Sequence, residues 1–418
     1  MGLQSKFDGQ YTTDWDHVLA ARSERMKSSI IRELLKFTML PNVISFAGGL
    51  PAPEAFPVRD FRDACCWVLD HEAELALQYG TTEGYAPLKD YLIETMSRYE
   101  LPAVRENILF TNGSQQALDL LGRAFIDEGD PIVAGRPTYL GAIQAWNVYG
   151  PRYLTVPLDD DGMRMDELQE TLEANPGVKF VYVLPNFHNP AGTTLPLDRR
   201  LRLVELAVEH GCFIIEDDPY GQLRFEGEDI TPIFALHKEN TIYLSTFSKT
   251  LAPGLRLGWI VAPERVIAKL VQAKQGADLN TSTLVQCLTH DICQRGLVRA
   301  HVRRIRDIYR ERRNVMLKAM DEHFPPGVTW TRPQGGLFLW VRMPECIDAE
   351  ELLHIAVEEQ VAFVPGTAFY PGGEGGRCCM RLNFSYSKPE IIEEGIARLG
   401  RAIQRQMDKV GYRAPGQD

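Results

Sequence analysis

The stretch LSTFSKTLAPGLRLGW, residues 244–259, decides the fold. It follows the apolar Thr241-Ile-Tyr segment and reads as the end of a buried strand. At that end stand the hydroxyl residues Ser245, Thr246 and Ser248, a single lysine, Lys249, and Arg256 seven residues on. A buried ammonium without a partner is costly, and its pKa falls. A lowered pKa is what an amine needs to attack a carbonyl. Hydroxyls beside a guanidinium make an anion site, because arginine binds phosphate through paired hydrogen bonds. The local chemistry is an amine that captures an aldehyde beside a phosphate cradle. Pyridoxal 5'-phosphate (PLP) carries both groups.

The rest of the chain sets the frame. Its 418 residues exceed one ordinary domain and suffice for a large core. A formal charge of −11 argues against nucleic-acid binding, which needs a basic face. The eight cysteines include two adjacent pairs, Cys65-Cys66 and Cys378-Cys379, a spacing that suits neither a disulfide framework nor a metal site. A reduced, cytoplasmic protein is expected. The first twenty residues are polar and acidic, unlike a signal peptide, and no apolar run is long enough to span a membrane.

Several further segments repeat one pattern, an apolar strand with polar residues at its C-terminal end. Residues 107–121, NILFTNGSQQALDLL, read as a strand, a glycine turn and a helix opening at Ser114. A helix N-terminus offers free N–H groups and a positive dipole end, so Gly113, Ser114 and Gln115 form a phosphate cradle. Residues 131–139 (PIVAGRPTY) end on Tyr139, and residues 180–193 (FVYVLPNFHNPAGT) run from a strand into Asn189-Pro-Ala-Gly, with His188 beside it as a packed or exposed loop histidine. Residues 212–221 (CFIIEDDPYG) mass carboxylates at a strand end, where open α/β sheets bind ligands. A buried carboxylate must meet a cation, and Asp217 or Asp218 would do so. Helices such as residues 198–210 alternate with these strands, which predicts β-α units and a mostly parallel sheet.

Outside that sheet, residues 26–37 read as an amphipathic helix after a loose arm, and residues 42–54 as an extended entry. There Gly48 and Gly49 let backbone approach a ligand. Residues 57–69 predict a helix packed through Phe61, Trp67 and Leu69. Residues 298–324 predict a long helix whose many arginines, Arg312 and Arg313 included, form a solvated face. Arg381, inside the apolar strand CMRLNFS (379–385), has no acidic neighbour and invites a bidentate carboxylate.

Taken together, residues 25–405 resemble the PLP-dependent aminotransferases of fold type I, in the 2-aminoadipate and kynurenine/aminoadipate subgroup. The resemblance implies an α/β fold with a mostly parallel central sheet in a large domain (55–297) and a smaller α+β domain (298–418). An N-terminal arm and helix (1–54) would be part of the small domain. It further implies that Lys249 bonds PLP, that Asp217 with Tyr220 three residues on supports the cofactor ring, and that Tyr139 stacks on it. Asn189 would serve both cofactor and substrate. Gly113, Ser114, Gln115, Thr246, Ser248 and Arg256 would hold the phosphate. Tyr79, in the QYG loop, would reach the partner's cofactor in a homodimer. Arg381 would clamp the substrate's α-carboxylate, Gly49 would line the substrate site, and Arg25, with Arg22 as neighbour, would read a distal carboxylate.

The implied activity moves an amino group from an L-amino acid to a 2-oxo acid such as 2-oxoglutarate, with ping-pong kinetics. Glutamate- or aminoadipate-like donors follow if Arg25 faces the site; otherwise apolar or aromatic donors are as well suited. No metal is implied. A lyase or decarboxylase could use the same cradle, since fold does not fix function. A ligand-sensing regulator built on this fold would carry a DNA-binding domain ahead of it, longer than the arm before Arg25.

Overall fold

A computed structural model describes residues 14–26, 42–97 and 103–413. The expected helix at 26–37 lies outside these residues apart from its first position. The described part of the arm is not loose coil but two short surface turns, Trp15–Val18 and Ala21–Arg25.

The strands in chain order are β1 (Ile44–Ser45), β2 (Ile108–Thr111), β3 (Pro131–Arg136), β4 (Arg152–Asp159), β5 (Gly162–Met163), β6 (Phe180–Val183), β7 (Phe213–Asp217), β8 (Thr241–Thr246) and β9 (Gly258–Val261). They continue with β10 (Thr329–Trp330), β11 (Phe338–Arg342), β12 (Val361–Ala362), β13 (Val364–Pro365) and β14 (Cys379–Asn383). Eight of them form one sheet in the order β2-β9-β8-β7-β6-β3-β4-β5. Strands β4, β3, β6, β7 and β8 run parallel, and β9 is antiparallel to both its neighbours. β2 therefore points the same way as β8, and the turn after β2 meets the ends of β6, β7 and β8. β2, β6 and β9 are buried along their whole length, as strands covered by helices on both faces must be.

A second, antiparallel sheet has the order β10-β11-β14-β13. β1 pairs in parallel with β12, which ties the N-terminal segment to the C-terminal part of the chain. Arg381 sits on β14, opposite Trp340 of β11 and Val364 of β13. No helix among the described residues is long and apolar enough to cross a membrane.

Two expected faces are corrected. The helix Val58–His71 buries Ala64 and Val68, while Trp67 and Leu69 are exposed. Trp67 instead stacks on His71 at the surface, ring centroids 4.9 Å apart. In the helix Leu297–His323, Arg312 and Arg313 are buried rather than solvated. Arg312 pairs with Glu54 and donates to the Ser385 carbonyl; Arg313 pairs with Glu226 and donates to the Pro333 carbonyl at 2.7 Å. Their aliphatic stems fill the junction while their heads find distant oxygens.

Candidate active site

A cavity of about 160 Å³ opens at the C-terminal ends of the parallel strands. Its wall brings together Ser114, Gln115, Tyr139, Asp217, Tyr220, Thr246, Ser248, Lys249 and Arg256. Each arrives from a strand end: Ser114 after β2, Tyr139 after β3, Asp217 at the end of β7 and Thr246 at the end of β8.

One end of the cavity is built for an anion. The helix Gly113–Phe125 begins there, and its first N–H groups have no partner within the helix. Gly113 has φ +72°, and a Cβ on it would stand 2.5 Å from Nη2 of Arg256. Glycine is what lets the guanidinium lie against this turn. Arg256, itself left-handed at φ 49°, donates to the carbonyls of Pro253 (3.4 Å) and Asn112 (3.3 Å). Thr246 Oγ1 donates to the Leu257 carbonyl at 2.9 Å and meets Ser248 Oγ at the same distance. The side chain of Gln115 donates to the Gly141 carbonyl at 2.8 Å, so it also braces the loop after Tyr139.

The other end presents Asp217. Tyr182 donates to its Oδ2 at 2.8 Å, whereas Oδ1 is buried and has no hydrogen-bond partner. Burial pushes the carboxyl up to about 7, against the pull of the Tyr182 hydroxyl. Asp218 is different: Oδ1 accepts from Asn186 at 3.0 Å and from the Gly221 N–H at 2.8 Å. It fixes the turn after β7, and Asp217 alone of the two lines the cavity.

Lys249 Nζ donates to the Gly49 carbonyl at 2.7 Å, so Gly49 meets the site through its backbone. Burial, then repulsion from Arg381 and Arg256, brings this amine down to about 8. Arg381 is buried, stacked over Phe338 at 4.3 Å and Phe369 at 5.0 Å. It donates to Asn189 Oδ1 (2.9 Å) and the Ala47 carbonyl (2.6 Å), while its Nε has no partner. Among the described residues no carboxylate pairs with it, and burial brings it down to about 10. Asn189 also lies 3.5 Å from the Tyr220 hydroxyl. Burial raises the phenols of Tyr139, to about 12, and of Tyr220 further still, so both stay protonated.

Two expected residues stand apart. Tyr79 is 79% exposed on its loop and does not line the cavity. Arg25 does not line the cavity: it pairs with Glu128 and lies against Gly150. These two precede β3 and β4, at the opposite ends of the strands from Lys249, and the nearest charge has captured the guanidinium. Arg22 lies on the same short turn. His188 is a packed loop histidine, and burial brings it down to about 3, so it is neutral. Tyr182 escaped sequence reading; its signal is a hydroxyl inside an otherwise apolar buried strand, which must find a partner.

These residues test for one group. The helix N-terminus and Arg256 suit a phosphate, the Lys249 amine suits an aldehyde, and the orphaned Oδ1 of Asp217 suits a cationic ring nitrogen. PLP has all three and fits. Fold and site together define a PLP-dependent transferase of fold type I.

The chain belongs to the aminotransferase class I and II family, whose model matches residues 60–399. It is 47% identical to an aromatic-amino-acid aminotransferase of Thermococcus litoralis over 95% of this chain and 97% of the relative. It is 44% identical to a 2-aminoadipate transaminase of Thermus thermophilus, over 93% and 97%. The crystal structure of the alpha-aminoadipate aminotransferase from that organism, complexed with N-(5'-phosphopyridoxyl)-L-leucine, superposes with a TM-score of 0.89 at 42% identity. It covers 95% of this chain and 100% of that one. The protein is a PLP-dependent aminotransferase.

Proposed function

We propose that this enzyme moves the amino group of an L-amino acid, aromatic, branched-chain or 2-aminoadipate/glutamate-like, to 2-oxoglutarate in two half-reactions with ping-pong kinetics. The observation that carries the reading is Arg381, a buried cation with an unpartnered Nε and, among the described residues, no carboxylate partner. It would bind the substrate α-carboxylate through paired hydrogen bonds, and a clamped carboxylate is one that is kept. That favours transamination over decarboxylation.

When bound, PLP supplies the electron sink for charge developing at the substrate Cα. Gly113, Ser114, Thr246, Ser248 and Arg256 would hold its phosphate, with Gln115 bracing the loop. Lys249 would bond it, Tyr139 would stack on its ring, and Asp217 with Tyr220 and Asn189 would fix the ring's polar edge. Lys249, an amine brought down to about 8, is suited to take the Cα proton and return it as general base and acid. Tyr79, exposed beside Leu77, fits a homodimer in which it meets the partner's site. The free cysteines fit a reducing, cytoplasmic setting.

Relatives named for aromatic amino acids and for 2-aminoadipate support a broad donor range. The engagement of Arg25 with Glu128 favours uncharged donors. The test is the visible absorption of the purified protein, recorded before and after L-2-aminoadipate, L-Glu, L-Leu or L-Phe, with Lys249→Ala alongside. The native band should bleach with L-Phe and L-Leu at least as readily as with L-2-aminoadipate, and Lys249→Ala should not respond. A band that no amino acid changes would sink transamination.

A further inference from the structure

Behind the Gly113 turn lies a lysine that the reaction does not use. Lys274, near the end of the helix Glu264–Gln275, is 0% exposed. Its Nζ stands 2.8 Å from both carboxylate oxygens of Asp278 and 2.9 Å from Gln116 Oε1. The same two partners converge on Asn112. Asp278 Oδ2 accepts from the Asn112 side-chain amide and, at 2.8 Å, from Gln116 Nε2. Gln116 Oε1 accepts the Asn112 backbone N–H at 2.8 Å. The Asn112 carbonyl accepts from Arg256.

Three of the four polar groups of Asn112 are thus held, immediately before a glycine at φ +72° that opens the helix. A buried ion pair is weak support for stability, since apolar residues of similar volume often serve as well. What this pair does is fix one residue. Asn112 is the hinge between the two anion-binding elements, the helix N-terminus and Arg256.

We propose that Lys274 is a positioning residue for the phosphate site. It neutralises the Asp278 carboxylate behind the turn and, through Gln116 and Asn112, holds the helix N-terminus and Arg256 in place to take a phosphate monoester. The inference rests on reading the Gly113 turn as the phosphate site.

The experiment compares PLP with pyridoxal, which lacks the phosphate, as ligands of the full-length cofactor-stripped chain. Lys274→Met leaves the Asp278 carboxylate without its counter-charge beside the turn. Losing charge-assisted hydrogen bonds of this kind should weaken PLP about 10–100-fold. Pyridoxal affinity should stay within about threefold, because Lys274 does not line the cavity. Equal weakening of both ligands would mean a general structural role and would overturn the proposal; so would no weakening. Should Lys274→Met fail to fold, Gln116→Leu breaks the link while leaving the ion pair, and should show the same selective loss. Arg256→Ala is the control. A selective PLP loss there with an unchanged ratio in Lys274→Met overturns the Lys274 role alone. An unchanged ratio in Arg256→Ala overturns the phosphate reading, and the Lys274 proposal with it.

Discussion

Asp217→Asn should make the cofactor-stripped protein more stable at alkaline pH while crippling the enzyme. Burial raises this carboxyl from 3.8 to about 7. Between those values the folded protein keeps a proton that the unfolded chain has lost, so stability at this position falls as pH rises. At about 1.36 kcal/mol for each pH unit, the whole penalty has a ceiling of about 4 kcal/mol, reached above the folded pKa. Between about pH 5 and about pH 8 it grows by about 2–3 kcal/mol. Asparagine carries no charge at either pH and can still accept from Tyr182, so it removes the growth but not the hydrogen bond. Glu216, also raised to about 7, titrates in both proteins and cancels. The assay is urea unfolding of both cofactor-stripped chains at one protein concentration and at both pH values. The variant's stability relative to the parent should improve by about 2–3 kcal/mol on going to the higher pH. In the loaded enzyme the same change removes one partner of a buried charge pair, worth about 3–5 kcal/mol, and kcat/KM should fall about 10²–10⁴-fold. A stability difference that does not move with pH would refute the argument, because Asp217 would then not be held protonated by burial.

Two further substitutions address the two anion sites. Gly113→Ala puts a Cβ where Arg256 Nη2 would be 2.5 Å away and forces alanine to φ +72°. With about 1–2 kcal/mol of backbone strain, PLP affinity should fall about tenfold or more, and unchanged affinity would mean that the guanidinium is not held against this turn. Arg381→Lys replaces a fork with a point charge; KM for L-amino acids should rise and kcat/KM fall about 10–100-fold, with PLP affinity kept. An unchanged KM would show that Arg381 is not the carboxylate clamp.

The sequence carried the strand-end polar residues because parallel strands buried on both faces read as apolar runs, and the polar residues that close each run stand at the edge where open α/β sheets bind ligands. Thr111-Asn112-Gly113 at the end of β2, Asp217 at the end of β7 and Thr246 at the end of β8 are legible in this way. What was not legible depends on partners far along the chain. Arg312 meets Glu54 across 258 residues, and Lys274 meets Gln116 across 158, so a charged helix face and a lone lysine gave no sign of burial. Trp67 was assigned to the core on hydrophobicity alone, but the smaller Ala64 and Val68 suit the close approach to the helix Thr283–Gln294. Arg25 was assigned by position in a motif, and position cannot say which nearby carboxylate captures a long side chain.

On the proposed function, the charges of the site suit Lys249 to act as both nucleophile and base. Two guanidinium groups, Arg381 and Arg256, repel the Lys249 ammonium in the crevice. Burial and the two guanidinium groups hold the Lys249 amine at about 8, so an appreciable fraction is unprotonated near neutral pH and free to attack an aldehyde. A phosphate against Arg256 and a carboxylate against Arg381 each cancel one of those repulsions. Each anion that enters therefore raises the proton affinity of Lys249. The amine would be the better nucleophile while the guanidinium charges are uncompensated, and the stronger base once a carboxylate neutralised Arg381, as the proposed role of Lys249 at Cα requires. Replacing either arginine removes a repulsion as well as an anion contact. Both variants should therefore show a pH dependence displaced upward from that of the parent, which the loss of a binding contact alone would not produce.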